Sequence, residues 1–185
     1  MSSYPSNLAR RRAFVCVAAI VAVNGGDALA QTITDIGPLV PAGPPVVPAG
    51  LNSDGTVVVG WAHNGVDYRA VRWTSAGGPQ DLGAAPSAVH SYANGVSGDG
   101  LTVVGDEHGG PNGGGAFLWT SAGGLQELGS ALGFVTSSVT AVSEDGATVA
   151  GAGQDRTAPS IRFCGPARAE CSGSIRSGCS ETTSR

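Results

Sequence analysis

The chain has 185 residues, 41% of them apolar, 5% aromatic and 13% charged, with 30 glycines and 11 prolines, which is room for one ordinary domain. Glycine at this level can mark disorder, but most of these glycines recur at fixed spacings, which argues against a featureless polar tract in the middle of the chain. The formal charge is −4 and every basic residue is arginine; residues 31–155 set Arg69 and Arg72 against eleven acids, a balance of −9 that excludes a phosphate-seeking surface and disfavours nucleic acid.

Residues 1–30 read as an export signal. Arg10, Arg11 and Arg12 form a basic start, residues 13–23 are apolar on every side and predict a signal helix, and Ala28-Leu29-Ala30 offers an A-x-A cleavage site before Gln31. The apolar stretch is shorter than the ~20 residues that span a bilayer, so no transmembrane span is expected once the signal is removed. Arg11-Arg12-Ala13-Phe14-Val15 resembles the core of a twin-arginine signal, and both the general secretory and the twin-arginine routes stay open. Cys16 lies too early in the stretch for a lipoprotein anchor.

Residues 31–50 form a leader rich in Pro and Gly. Within it Asp35-Ile36-Gly37 lies 46 residues ahead of Asp81-Leu82-Gly83, as the tail of a partial repeat would. Two full units follow, residues 51–95 and 96–140, and residues 141–155 begin a third. Asp54-Gly55 returns as Asp99-Gly100 and Asp145-Gly146, at steps of 45 and 46. Trp73 returns as Trp119 and Leu82-Gly83 as Leu128-Gly129, both at a step of 46. Self-similarity at this period signals stacked supersecondary units.

Each unit holds four short apolar runs, too short and too rich in Val and aromatics for helices. In the second unit they are 93–97, 101–105, 116–120 and 125–128. Asp-Gly supplies the positive φ of a tight hairpin between the first two, and Ser121-Ala122-Gly123-Gly124 turns the third into the fourth. The expected fold is therefore all-β: repeated four-stranded antiparallel units, propeller-like and incomplete, because four strands in roughly 45 residues is the arithmetic of a propeller blade. With two units and part of a third, a marginal monomer with weakly cooperative unfolding is expected.

Residues 156–185 break the pattern. The third tryptophan is due near residue 165, where only Ile161-Arg162-Phe163 echoes Val71-Arg72-Trp73. Beyond it the chain turns Arg-, Ser- and Cys-rich, and disorder is expected. A shifted reading frame or truncated gene product and a naturally divergent cap both account for the change.

The segments AFLWT, GGLQELG and VSxDGxxVVG, in that phase, resemble the extracellular repeats of the HAF type over about residues 34–152. The tripeptide behind that name is degenerate here, Gly115-Ala116-Phe117 in one unit and Arg69-Ala70-Val71 in the other, so its His is missing. The resemblance implies a bacterial secreted or cell-surface protein, in places similar to autotransporter passengers. It implies location and shape, not a reaction.

Candidate sites are few. Cys164, Cys171 and Cys179 match no zinc spacing and have no His near them in sequence, which leaves one disulfide or free thiols. His63 and His108 each lie nine residues after their hairpin Asp, but the third unit has Gln154 there, so solvated loop histidines are expected. No Gly-x-Ser-x-Gly turn presents a nucleophile. Asp54, Asp99 and Asp145 lack the spacing of a calcium loop and read as turn formers, and the Gly109 to Gly115 loop has no Lys to cradle phosphate. Asp81 and Glu127 hold equivalent places before Leu-Gly, as repeat residues and not a converging pair. Trp73 and Trp119 read as core anchors, ahead of a sugar-stacking role. The residues singled out are thus structural: Asp54, Gly55, Trp73, Leu82, Gly83, Asp99, Gly100, Trp119, Leu128, Gly129, Asp145 and Gly146. The expectation is a non-catalytic exported or cell-surface protein without cofactor or metal, acting in recognition or scaffolding on a surface protein or glycan. The alternative is the remnant of an exported propeller-type glycan-active enzyme or of an autotransporter passenger.

Overall fold

The computed structural model describes residues 17–20, 32–41, 43–110, 114–131, 133–154 and 161–166. A two-stranded ladder pairs β1 (Val17–Ile20) with β2 (Thr32–Asp35). Sheet 1 contains β3 (Val47–Leu51), β4 (Val57–His63), β5 (Tyr68–Thr74) and β6 (Gly78–Asp81). Sheet 2 contains β7 (His90–Val96), β8 (Thr102–His108), β9 (Gly115–Thr120) and β10 (Gly124–Glu127), followed by the single turn α1 (Leu128–Ala131). Sheet 3 contains β11 (Thr136–Val142), β12 (Thr148–Gln154) and β13 (Ile161–Pro166). Every sheet is an antiparallel meander whose strands neighbour one another in chain order. The protein is all-β, built on antiparallel four-stranded sheets.

The Asp-Gly turns explain the registers. Gly55, Gly100 and Gly146 take φ of 73°, 74° and 68°, and each donates its N–H to the carbonyl three residues back. Each aspartate accepts the N–H two residues on, from Thr56, Leu101 and Ala147, at 2.9, 3.0 and 2.9 Å. Neighbouring turns are then joined: Asn52 Nδ2 donates to Gly98 O at 3.3 Å, and Gly98 N–H to Glu144 O at 2.8 Å.

Three apolar clusters mark where the faces meet. Val57, Val59, Ala70 and Leu82 pack on Ala93, Val103, Phe117 and Trp119 between sheets 1 and 2. Val104, Ala116, Leu118 and Leu128 pack on Val139 and Val149 between sheets 2 and 3. On the other face of sheet 1, Ile36 and Val46 of the leader cover Val58, Ala62, Val71 and Trp73. Ile36, Leu82 and Leu128, spaced by 46 residues, thus do the same job three times.

Polar joints repeat with the same step. Strand β6 covers β5 only as far as Val71, so the next N–H along, that of Ala70, has no neighbour in its own sheet. Ser91 Oγ accepts it at 2.9 Å and donates to Gly83 O at 2.5 Å. In sheet 2 the Ala116 N–H is taken in the same way by Ser137 Oγ at 2.8 Å.

Four expectations are corrected. Val17–Ile20, inside the stretch expected to be helical, is a strand; its β-branched ends suit extended backbone, and Thr32–Asp35 takes up its backbone groups. The remaining signal residues, Ala30 and Gln31 included, lie outside the described residues, as do Cys171, Cys179 and residues 167–185. Part of the segment expected to be disordered is ordered, since Ile161–Pro166 pairs with β12. Its register also revises the sequence echo. Phe163 pairs with Gly151 as Phe117 pairs with Gly105, so it stands in the place of Phe117 and Val71, and Gly165 stands in the place of the tryptophans. The fourth strand of sheet 2 ends at Glu127, and Leu128 begins the helical turn instead.

Candidate functional site

Trp73 and Trp119 are each 6% exposed and belong to the apolar clusters, so neither offers a ring face to a ligand. Asp54, Asp99 and Asp145 sit in their turns; hydrogen bonds from Thr56, and from Ser97 and Ser143 with the N–H groups that follow, hold their carboxyls below the usual range. Asp81 accepts the Gly83 N–H at 2.8 Å and is exposed. Leu82 and Leu128 are buried between sheets, and Gly83 turns with φ of 82°. Gly129 sits so close to Ser137 that an added Cβ would stand 2.1 Å from its Oγ. Cys164 is exposed.

The chemistry lies at the opposite ends of the strands. There β4 ends in His63, β8 ends in His108 and β7 begins with His90. These histidines do not stand alone in loops. With Trp61, Tyr68 and Tyr92 they form one continuous set of ring contacts across sheets 1 and 2. Trp61 meets Tyr68 and Tyr92 edge-on at 5.6 Å, Tyr68 stacks on Tyr92 at 6.0 Å, and His63, His90 and His108 each approach a tyrosine at 5.1 to 5.7 Å. Tyr68 is 40% exposed, His108 is exposed and the others are half-buried. Polar groups rim the rings. Asp67 lies 3.9 Å from His90 Nδ1, and Arg69 bridges Asp67 at 3.2 Å to Val89 O at 2.5 Å. Asp106 accepts from Asn94 Nδ2 at 2.8 Å and from the Val139 N–H at 2.9 Å; burial pushes its carboxyl up against the pull of those two bonds. Burial, and Tyr68 beside it, also push the Tyr92 phenol up.

A second feature lies at the same end of sheet 2. Glu107 is 1% exposed, in a strand position held by Ala62 in sheet 1 and Gly153 in sheet 3. Its Oε1 accepts the Ala85 N–H at 2.5 Å. Its Oε2 has no hydrogen-bond partner among the described residues. Burial raises the Glu107 carboxyl, and the nearby Glu127 raises it further. Both glutamates line a cavity of about 300 Å³ with Ser87, Gly115, Ser137 and Phe134. Glu127, expected to be only a repeat residue, therefore shares a cavity with a second carboxylate, while Asp81, its repeat equivalent, is exposed. Among the described residues no three His, Cys, Asp or Glu side chains are grouped to hold a metal ion, and no helix is long and apolar enough to cross a membrane.

Sequence reasoning weighed His63 and His108 and missed Trp61, Tyr68, Tyr92 and Glu107. The signal was available as departure from the repeat. Aligned on the Asp-Gly turns, Trp61 faces Asp106 and Glu107 faces Ala62, so these are the places where the units disagree.

No family model matches the chain, and no curated protein matches it. Among solved structures it is similar to the crystal structure of TolB from Acinetobacter baumannii, with a TM-score of 0.48 and 14% identity. The likeness covers 64% of this chain and 29% of the TolB chain, so this chain spans less than a third of that protein's length.

Proposed function

We propose that this is an exported, non-catalytic recognition protein of propeller-like architecture, which holds a neutral glycan on the rings of Trp61, Tyr68 and Tyr92. The ring set carries the reading. Sugars offer C–H faces that pack on aromatic rings and hydroxyls that pair with imidazole, carboxylate and amide groups, and both kinds of partner are present at these strand ends. The acidic surround turns away anionic polymers. Export to the periplasm, cell surface or exterior is supported by the basic and apolar start of the chain and its A-x-A site, and the propeller-like form by meandering sheets recurring every 46 residues.

A glycan array probed with the full chain tests the reading. Binding to neutral glycans that falls at least about tenfold in Tyr68→Ala, with unchanged circular dichroism, supports it. Binding untouched by Tyr68→Ala and by Tyr92→Ala, or none at all, defeats it. The second reading, a glycan-active enzyme, draws on Glu107 and Glu127 lining one cavity. Hydrolysis of a glycan, abolished in both Glu107→Gln and Glu127→Gln, would favour it.

A further inference from the structure

We propose that the cavity at the end of sheet 2 binds a small organic ammonium ion between Glu107 and Glu127, against the ring of Phe134. The inference stands apart from the recognition reading and uses none of its rings, while giving Glu107 and Glu127 a binding role in place of the hydrolytic one.

The argument begins with a residue that the repeat does not call for. Ala62 packs in the core of the preceding sheet at the place where sheet 2 has Glu107, so a small apolar side chain satisfies the fold there. A buried carboxylate loses its hydration, which is strongly unfavourable unless the charge is paired. Glu107 gains one bond, from the Ala85 N–H, and its second oxygen gains none from the described residues.

The repeat region has little with which to pair it. It contains no lysine at all. The two arginines of the repeat region are engaged elsewhere: Arg69 with Asp67 and Val89 O, Arg72 with Gly100 O at 3.1 Å. The nearest acid makes matters worse, since Glu127 lines the same space and carries like charge. Ser87 donates its hydroxyl to Glu127, which holds that carboxylate in place.

The cavity sets the kind of cation. At about 300 Å³ it is at the lower end of the range of small-molecule pockets and far larger than a bare metal ion requires. Its walls combine two carboxylates and the Ser87 and Ser137 hydroxyls with the Phe134 ring and glycine backbone. An ammonium head supplies N–H donors to Glu107 Oε2 and to Glu127, and its alkyl stem packs on the ring.

Isothermal titration calorimetry of the full chain tests this, with pentane-1,5-diamine dihydrochloride and calcium chloride as separate titrants at matched ionic strength. The diamine is expected to bind one per chain. Glu107→Ala installs the residue of the preceding unit and should keep the circular dichroism spectrum while weakening the diamine at least about tenfold, the effect of losing one charge-assisted bond. Should Glu107→Ala not fold, Glu107→Gln, which keeps the shape and the Ala85 bond, is expected to show the same loss. Calcium binding without diamine binding, no binding of either, or diamine affinity unchanged in both variants would overturn the proposal.

Discussion

Replacing Ser91 by alanine tests how one sheet is fastened to the next. Ser91 is fully buried and makes two bonds across the boundary, accepting the Ala70 N–H at 2.9 Å and donating to Gly83 O at 2.5 Å. A buried hydrogen bond contributes about 1 kcal/mol net, and an orphaned buried donor costs about 1–3 kcal/mol. In Ser91→Ala the Ala70 N–H has no strand to turn to, because β6 has already ended, so the expected loss is about 2 kcal/mol. At a urea dependence of about 2 kcal/mol/M that is a fall of about 1 M in the midpoint, followed through tryptophan fluorescence. Hydrogen exchange gives a second and local reading, with the Ala70 amide exchanging about 30-fold faster than in the parent chain. Ser137→Ala removes the matching acceptor from Ala116 and should cost about half as much, since one bond is broken there and not two. If Ser91→Ala leaves the midpoint within about 0.2 M and the Ala70 amide protected, the joints do not hold the sheets together.

Two further predictions concern the turns and the buried acid. Gly124→Ala and Gly100→Ala both force alanine into positive φ, at 66° and 74°, but the added Cβ meets nothing within 4 Å at Gly124 and stands 2.6 Å from Val57 Cγ2 at Gly100. Gly124→Ala should cost about 1 kcal/mol and Gly100→Ala at least about twice that in urea unfolding; equal losses would mean that strain alone sets the cost. Glu107 keeps its proton to higher pH folded than unfolded, because burial, with Glu127 beside it, outweighs the Ala85 N–H bond and the charge of Arg69. The folded state therefore holds the extra proton above the ordinary glutamate value near 4.5, and this group's contribution to stability declines as pH rises through that interval. Asp99, held low by Ser97 and the Leu101 N–H, acts in the opposite sense, its contribution being lost as pH falls. The advantage of Glu107→Ala over the parent should grow between about pH 4 and about pH 7; a constant difference over that range would show that Glu107 does not titrate as described.

Much of the architecture was legible because it is written more than once. Asp54-Gly55, Asp99-Gly100 and Asp145-Gly146 announce hairpins that depend on a few local bonds, and such chemistry survives translation from sequence to coordinates. The 46-residue step likewise identified Ile36 as the counterpart of Leu82, and the structure places both as apolar plugs against the next sheet. The third sheet was harder to read because Phe163 imitates the tryptophan by type but not by register, which only strand pairing fixes. The ring set was hidden for a different reason. Tyr68 and His90 meet across a sheet boundary, 22 residues apart, and no periodicity within one unit reports that. Glu107 carries no periodic signal, because its place is held by Ala62 in the preceding unit and by Gly153 in the following one.

The placement of Ile36, Leu82 and Leu128 has a consequence for dissecting the molecule. Each sheet borrows its lid from the segment before it, so the natural cutting line does not run between sheets. A fragment beginning after Gly83 would inherit Phe117 and Trp119 without the leucine that roofs them, whereas one beginning a few residues earlier would carry its own cover. Excision, grafting or tandem copying of one unit should therefore respect a frame that opens on the leucine and closes just short of the next.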